Sequence, residues 1–234
     1  MRNPERRRSE RVRTDMKRIL AAFVALGFAG GAQAQSPTAV MERAVKAYAD
    51  LNTVRAEFRQ TISNPLTGTN AVSRGVLLRK DPNLLSITFT DPKGDRIVAD
   101  GTSLWIYLPS SAPNQVIKTA IKGNGSMSMI DPGGMFLSNP SARYTITGAG
   151  TSTVGGRKAN VVNLVPKQSN GAFTRAKVWV DAANDLIRQF EVVDANGLTR
   201  MVTITSIQPN ASVAASEFRF VAPKNARILD SPGY

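Results

Sequence analysis

The chain has 234 residues, a formal net charge of +13, and neither cysteine nor histidine. Without histidine there are no imidazole-based triads, no histidine general bases and no histidine-containing metal sites; without cysteine there are no disulfides. Lysine and arginine outnumber aspartate and glutamate 30 to 17, but beyond the first 34 residues the charges are scattered. A nucleic-acid partner needs a clustered basic stripe, so none is expected, and only a mild attraction to anionic membrane surfaces or acidic partners remains.

The N-terminus reads as an export signal. Lys17 and Arg18 precede an apolar run from Ile19 to Phe28, and small residues follow, ending in Ala32-Gln33-Ala34. The run is too short to span a bilayer as a helix. A basic start, an apolar middle and an A-x-A end predict cleavage after Ala34. Arg6, Arg7, Arg8, Arg11 and Arg13 lie outside this pattern, and Met16 is the expected true start. No cysteine at the cleavage point offers a lipid anchor. Residues 35–234 are then expected to form one soluble, exported domain.

That domain is predicted to open with a helix over Pro37–Leu51, where Val40, Ala44, Tyr48 and Leu51 form a one-sided apolar stripe and Ser36-Pro37 suits a helix start. From Val54 the pattern changes to period two. Val54, Ala56 and Phe58 alternate with Arg55, Glu57 and Arg59; Leu85, Ile87 and Phe89 alternate with Ser86, Thr88 and Thr90, one face apolar and one wet. Asn64-Pro65, Asp81-Pro82-Asn83 and Pro92-Lys93-Gly94-Asp95 mark turns, and Asp100-Gly101 between two apolar runs is a hairpin signal. Residues 109–143 are rich in Pro, Gly, Ser and Asn, and are expected to be loops with one or two short helices. Strands resume at Tyr144–Thr147, Ala159–Pro166, Thr174–Asp181, Leu186–Asp194 and Leu198–Gln208. Roughly ten strands and few helices predict a mainly β fold: a curved antiparallel sheet, an incomplete barrel, capped by the N-terminal helix and short lid helices.

Catalytic signatures are absent. The chain has no G-x-S-x-G elbow, no S-x-x-K pair and no glycine-rich phosphate loop. Asp91, Asp95 and Asp100 fall in turns, where aspartate bonds local backbone. No catalytic residue, metal or cofactor is expected. What remains is an apolar face with a methionine-rich segment nearby, Met127, Met129 and Met135. Methionine suits surfaces that repack around varied apolar ligands, and it equally fills cores.

Residues 54–107 resemble the LolA family of periplasmic lipoprotein carriers. The resemblance rests on Ala56-Glu57-Phe58-Arg59-Gln60, Gly75-Val76-Leu77-Leu78, Pro82-Asn83-Leu84-Leu85, Ile97-Val98-Ala99-Asp100-Gly101 and Leu104-Trp105-Ile106-Tyr107, in order and at fitting spacing. It implies a periplasmic, non-enzymatic chaperone of lipoprotein transport, expected to be a monomer, that holds lipoprotein acyl chains in a cavity. Cargo would pass from the inner-membrane Lol ABC transporter to an outer-membrane acceptor. Leu85, Ile87, Phe89 and Tyr48 match cavity-facing positions of that family. The expected cavity lining is Tyr48, Phe58, Leu78, Leu85, Ile87, Phe89, Val98, Leu104, Ile106 and Val178, with Met129, Met135 and Phe136 as a lid. One departure stands out. Similar carriers place an arginine before the Pro-Asn pair to bond lid carbonyls; this chain has Asp81, which when ionised has no donor, leaving Arg79 or Lys80 for that role. The same half-barrel resembles RseB-type sensor domains, which implies a second reading of the function, as a periplasmic regulatory domain that senses lipids or lipoproteins.

Overall fold

A computed structural model describes residues 36–121, 132–168 and 173–231. The expected export signal and Met127 and Met129 lie outside the described residues. The fold below belongs to the compact unit Gln35–Tyr234.

Helix α1, Pro37–Ala49, starts with proline in its first turn, where the missing N–H costs no hydrogen bond. It buries Val40, Met41 and Ala44. Twelve strands follow, with two short helices between the sixth and seventh: β1 Thr53–Asn64, β2 Thr69–Lys80, β3 Leu84–Asp91, β4 Arg96–Asp100, β5 Ser103–Tyr107, β6 Gln115–Ala120, α2 Pro132–Leu137, α3 Pro140–Arg143, β7 Tyr144–Val154, β8 Arg157–Pro166, β9 Arg175–Asp181, β10 Ile187–Val193, β11 Thr199–Pro209 and β12 Arg227–Ser231. They form one curved sheet in the order β12-β6-β5-β4-β3-β2-β1-β11-β10-β9-β8-β7. The order ends in two free edges, β12 and β7, so the sheet is not closed into a barrel. Every pairing is antiparallel except β12 with β6, which is parallel.

Two strands were not expected. Gln115–Ala120 has adjacent Val116 and Ile117 with no alternation around them, so its strand character comes from pairing with β5 and β12 and not from local pattern. β12 owes its conformation to the β6 edge in the same way.

The concave face carries the main core. There α1 packs on α2, α3 and strands β7–β9. Arg43 of α1 donates to Asp185, at 3.1 Å, in the β9–β10 turn, a partly exposed pair that contributes at most about 1 kcal/mol. Apolar rows continue across strands: Leu77 pairs with Ile87, and Ile87 with Ile97. The convex face of β2–β6 is covered differently. A single 3-10 turn, Ala215–Phe218, packs on β3 and β4, and Phe220 stacks on Trp105 with ring centres 5.5 Å apart.

The Asp100-Gly101 hairpin shows what the D-G-x-x-L-W segment does. Gly101 sits at φ +95, a conformation glycine adopts without strain. The Asp100 carboxylate accepts from the backbone N–H of Thr102 and Ser103 and from Trp105 Nε1 at 2.7 Å. This fixes the indole on the convex face, where it receives Phe220. Trp105 of this segment anchors the C-terminal strap, while Leu104 faces the concave side.

Candidate functional site

The concave face of β1–β5 and β8–β11 is built from alternate residues of each strand. Phe58, Leu85, Ile87, Leu104, Met135, Phe136 and Val178 are buried in one cluster, with Tyr48, Phe89 and Ile106 packed against it. These ten expected lining residues are therefore brought together. Two others are not. Leu78 pairs with Ser86, Ser86 with Val98, and Val98 with Trp105, which places Leu78 and Val98 on the convex face. The sequence misleads here because Val76-Leu77-Leu78 and Ile97-Val98-Ala99 are continuous apolar runs, and a strand buried on both faces has no alternation to read. Their places on the concave face are taken by Leu77, Ile97 and Ala99.

Gly75 gives this face its depth. A Cβ there would lie 2.5 Å from the Thr88 carbonyl oxygen and 2.9 Å from Phe58 Cζ. With no side chain in the way, the Phe58 ring lies over the strand and meets Phe89 edge to face at 5.7 Å. Gly75→Ala forces the β2–β3 ladder apart and is expected to cost about 1–3 kcal/mol. Urea titration checks this; an unchanged midpoint would show that the close approach is relaxed at no cost.

Helix α2 fills the other part of the face. Phe136 is fully buried, its ring 5.3 Å from Phe190 and 6.0 Å from Phe173. The C-terminal turn of α2 leaves carbonyls unpaired, as any helix end does. Tyr144 Oη donates to the Met135 carbonyl at 2.8 Å and Arg143 Nη1 lies 3.4 Å from the Ser138 carbonyl, while Lys167 Nζ donates to the Ser141 carbonyl of α3 at 2.8 Å. Burial pushes the Tyr144 pKa up, against the opposing charge of Arg143, so the hydroxyl remains a donor at neutral pH. Asp81 takes no part: its carboxylate is 2.6 Å from Arg79. By register Arg79 pairs with Leu85 on the concave side and Lys80 with Leu84 on the other.

Tyr144→Phe is expected to loosen α2 by about 1–2 kcal/mol. Backbone amides of 135–144 should then exchange with solvent roughly 5 to 30 times faster. Unchanged exchange would show that the hydroxyl does not hold this helix.

Among the described residues there is no cluster of acidic side chains able to hold a metal ion, and no helix long and apolar enough to cross a membrane.

A family model described as outer membrane lipoprotein carrier protein LolA matches residues 49–221. A curated relative from Serratia proteamaculans, an outer-membrane lipoprotein carrier protein, is 30% identical over 220 residues, covering 92% of this chain and 98% of its own. One from Cupriavidus necator, with the same description, is 28% identical over 203 residues, covering 84% and 90%. Among solved structures, an uncharacterized conserved protein from Thermus thermophilus superposes with TM-score 0.53 at 13% identity, covering 83% of this chain and 98% of its own. MucB superposes with TM-score 0.50 at 17% identity, covering 80% and 63%. These two likenesses concern the fold alone. With the apolar concave face, its helical cover and a family match over most of its length, the chain belongs to the LolA family of outer-membrane lipoprotein carrier proteins.

Proposed function

We propose that the concave face holds the acyl chains of lipoproteins in the periplasm, and that the protein carries them from an inner-membrane Lol ABC transporter to an outer-membrane acceptor without catalysing any covalent step. The supporting observation is that a continuous apolar sheet face is covered by three short helices and not by a second sheet, with the end of α2 held by a few side-chain bonds to carbonyls.

The energetics suit a carrier. Transfer of an acyl chain out of water is worth about 0.8 kcal/mol per CH₂, on the order of 10 kcal/mol for one long chain. Without cargo, Met135, Phe136 and Leu137 occupy the same face. Burying each such side chain yields about 1.5–3 kcal/mol. Displacing α2 therefore forfeits roughly 5–9 kcal/mol, which offsets much of the gain from one chain. Binding strong enough to shield the lipid and weak enough to release it follows from that near balance.

The test is transfer. Protein purified from the periplasm, starting at Gln35 by intact mass, is added to membrane vesicles that contain the transporter and a triacylated lipoprotein. A soluble one-to-one complex that then delivers lipoprotein to outer-membrane vesicles is expected. Lipoprotein that stays with the donor membrane in the presence of ATP would refute the carrier reading.

A further inference from the structure

Arg200 stands inside an apolar row of the concave face. Following the register across six strands, Ile62 pairs with Arg200, Arg200 with Val192, Val192 with Ala176, Ala176 with Leu164, and Leu164 with Ile146. Paired residues share a face, so the row reads Ile-Arg-Val-Ala-Leu-Ile on the side that carries the core cluster. Val202, two residues along β11, is buried in that cluster.

Arg200 has no partner among the described residues. Among the described residues it makes neither a side-chain hydrogen bond nor an ion pair. The polar pair in the adjacent row is self-satisfied, Gln60 donating to Ser73 at 3.1 Å. Glu191, on the neighbouring strand, pairs with Met201 and belongs to the opposite face. The Asp194 carboxylate caps its own turn through the N–H groups of Asn196 and Leu198. Arg200 remains open to solvent, yet surrounding protein lowers its pKa by desolvation. An apolar residue would continue the row if packing were the only purpose of this position.

We propose that Arg200 is an oxyanion site within the acyl-chain face, so that this protein takes acyl chains carrying a carboxylate or phosphate head as well as neutral ones. A guanidinium presents paired donors that match both oxyanions. The inference rests on the acyl-chain reading above.

The test uses the full protein from the periplasm at pH 8, and displacement of the neutral dye Nile red by palmitate, 1-palmitoyl lysophosphatidate and hexadecanol, each below its micelle concentration. The wild type is expected to bind both anionic amphiphiles about tenfold more tightly than hexadecanol. Arg200→Leu should abolish that preference while hexadecanol binds as before, and Arg200→Lys should retain part of it. Equal binding of all three by the wild type, or a full preference in Arg200→Leu, overturns the oxyanion site and leaves the acyl-chain reading standing. Failure of all three to displace the dye overturns both. Millimolar inorganic phosphate should leave the preference intact; if it abolishes the preference, Arg200 serves a free anion and the lipid assignment falls.

Discussion

Asp181→Ala is expected to destabilise the protein by about 3–5 kcal/mol, or roughly 10 °C in melting temperature for a domain of this size. Asp181 is 1% exposed and sits where β8, β9 and β10 meet. Its carboxylate accepts from Arg188 Nε at 2.8 Å, from the Ala183 N–H at 2.8 Å and from the Arg157 guanidinium. Removing it strands Arg188, itself 9% exposed, without a counter-charge, and that uncompensated ion dominates the cost. Burial alone would oppose ionisation of Asp181, but Arg157, the Ala183 N–H and Arg188 outweigh it and hold the carboxyl well below the usual carboxylate range. Asp100 behaves similarly: burial opposes ionisation, and the hydrogen bonds from Trp105, Ser103 and Thr102 overcome it, lowering its pKa to about 2. Depressed folded-state values contribute stability above the unfolded carboxylate pKa and lose it as pH falls through the folded values. Stability should therefore decline from about pH 4 downward, and Asp181→Asn should flatten that decline. Thermal melts from pH 7 to pH 2 measure both effects. A melting temperature for Asp181→Ala within a degree or two of wild type would show that the cluster is not a buried ion network.

Phe89→Glu is expected to weaken acyl-chain binding at least about a hundredfold, close to 3 kcal/mol. The ring lies on the concave face, half-buried against Phe58. The substitution removes about 1.5–3 kcal/mol of apolar contact and places a carboxylate where a lipid chain must lie. Thr88→Glu introduces the same charge one residue earlier on the exposed convex side and should bind as wild type. Because Phe89 is only half-buried, the loss of fold stability should stay under about 3 kcal/mol, so a folded protein without cargo is the expected outcome. Equal binding by the two variants would place the acyl site elsewhere.

How much of this was legible beforehand depended on alternation. The helix at Pro37–Ala49 and the strand Leu84–Asp91 were readable because one face of each carries polar residues. Leu85, Ile87 and Phe89 fell on one side from sequence and lie on one side in the fold. Leu78 and Val98 were misplaced because their strands carry continuous apolar runs; the reverse of β3–β5 is packed by the strap bearing Phe218 and Phe220, which nothing local announces. β6 and β12 are strands by pairing and not by propensity. The Asp181 cluster left no signal, since Asp181-Ala182-Ala183-Asn184 reads as an ordinary turn and its partners come from two other strands. Arg200 looked like one scattered charge until the register placed it between Ile62 and Val192. The missing arginine at Asp81 was visible at once, whereas the bonds from Tyr144 and Arg143 to the carbonyls at the end of α2 were not.

The most direct test of the central claim is mass spectrometry of what copurifies with the protein from the periplasm, with Phe89→Glu and Thr88→Glu alongside. Triacylated lipoprotein on the wild type and on Thr88→Glu, absent from a folded Phe89→Glu, is the result predicted by an acyl-chain site on the concave face. Wild-type protein that emerges free of any acylated cargo, even when lipoprotein and its transporter are supplied in excess, would contradict it.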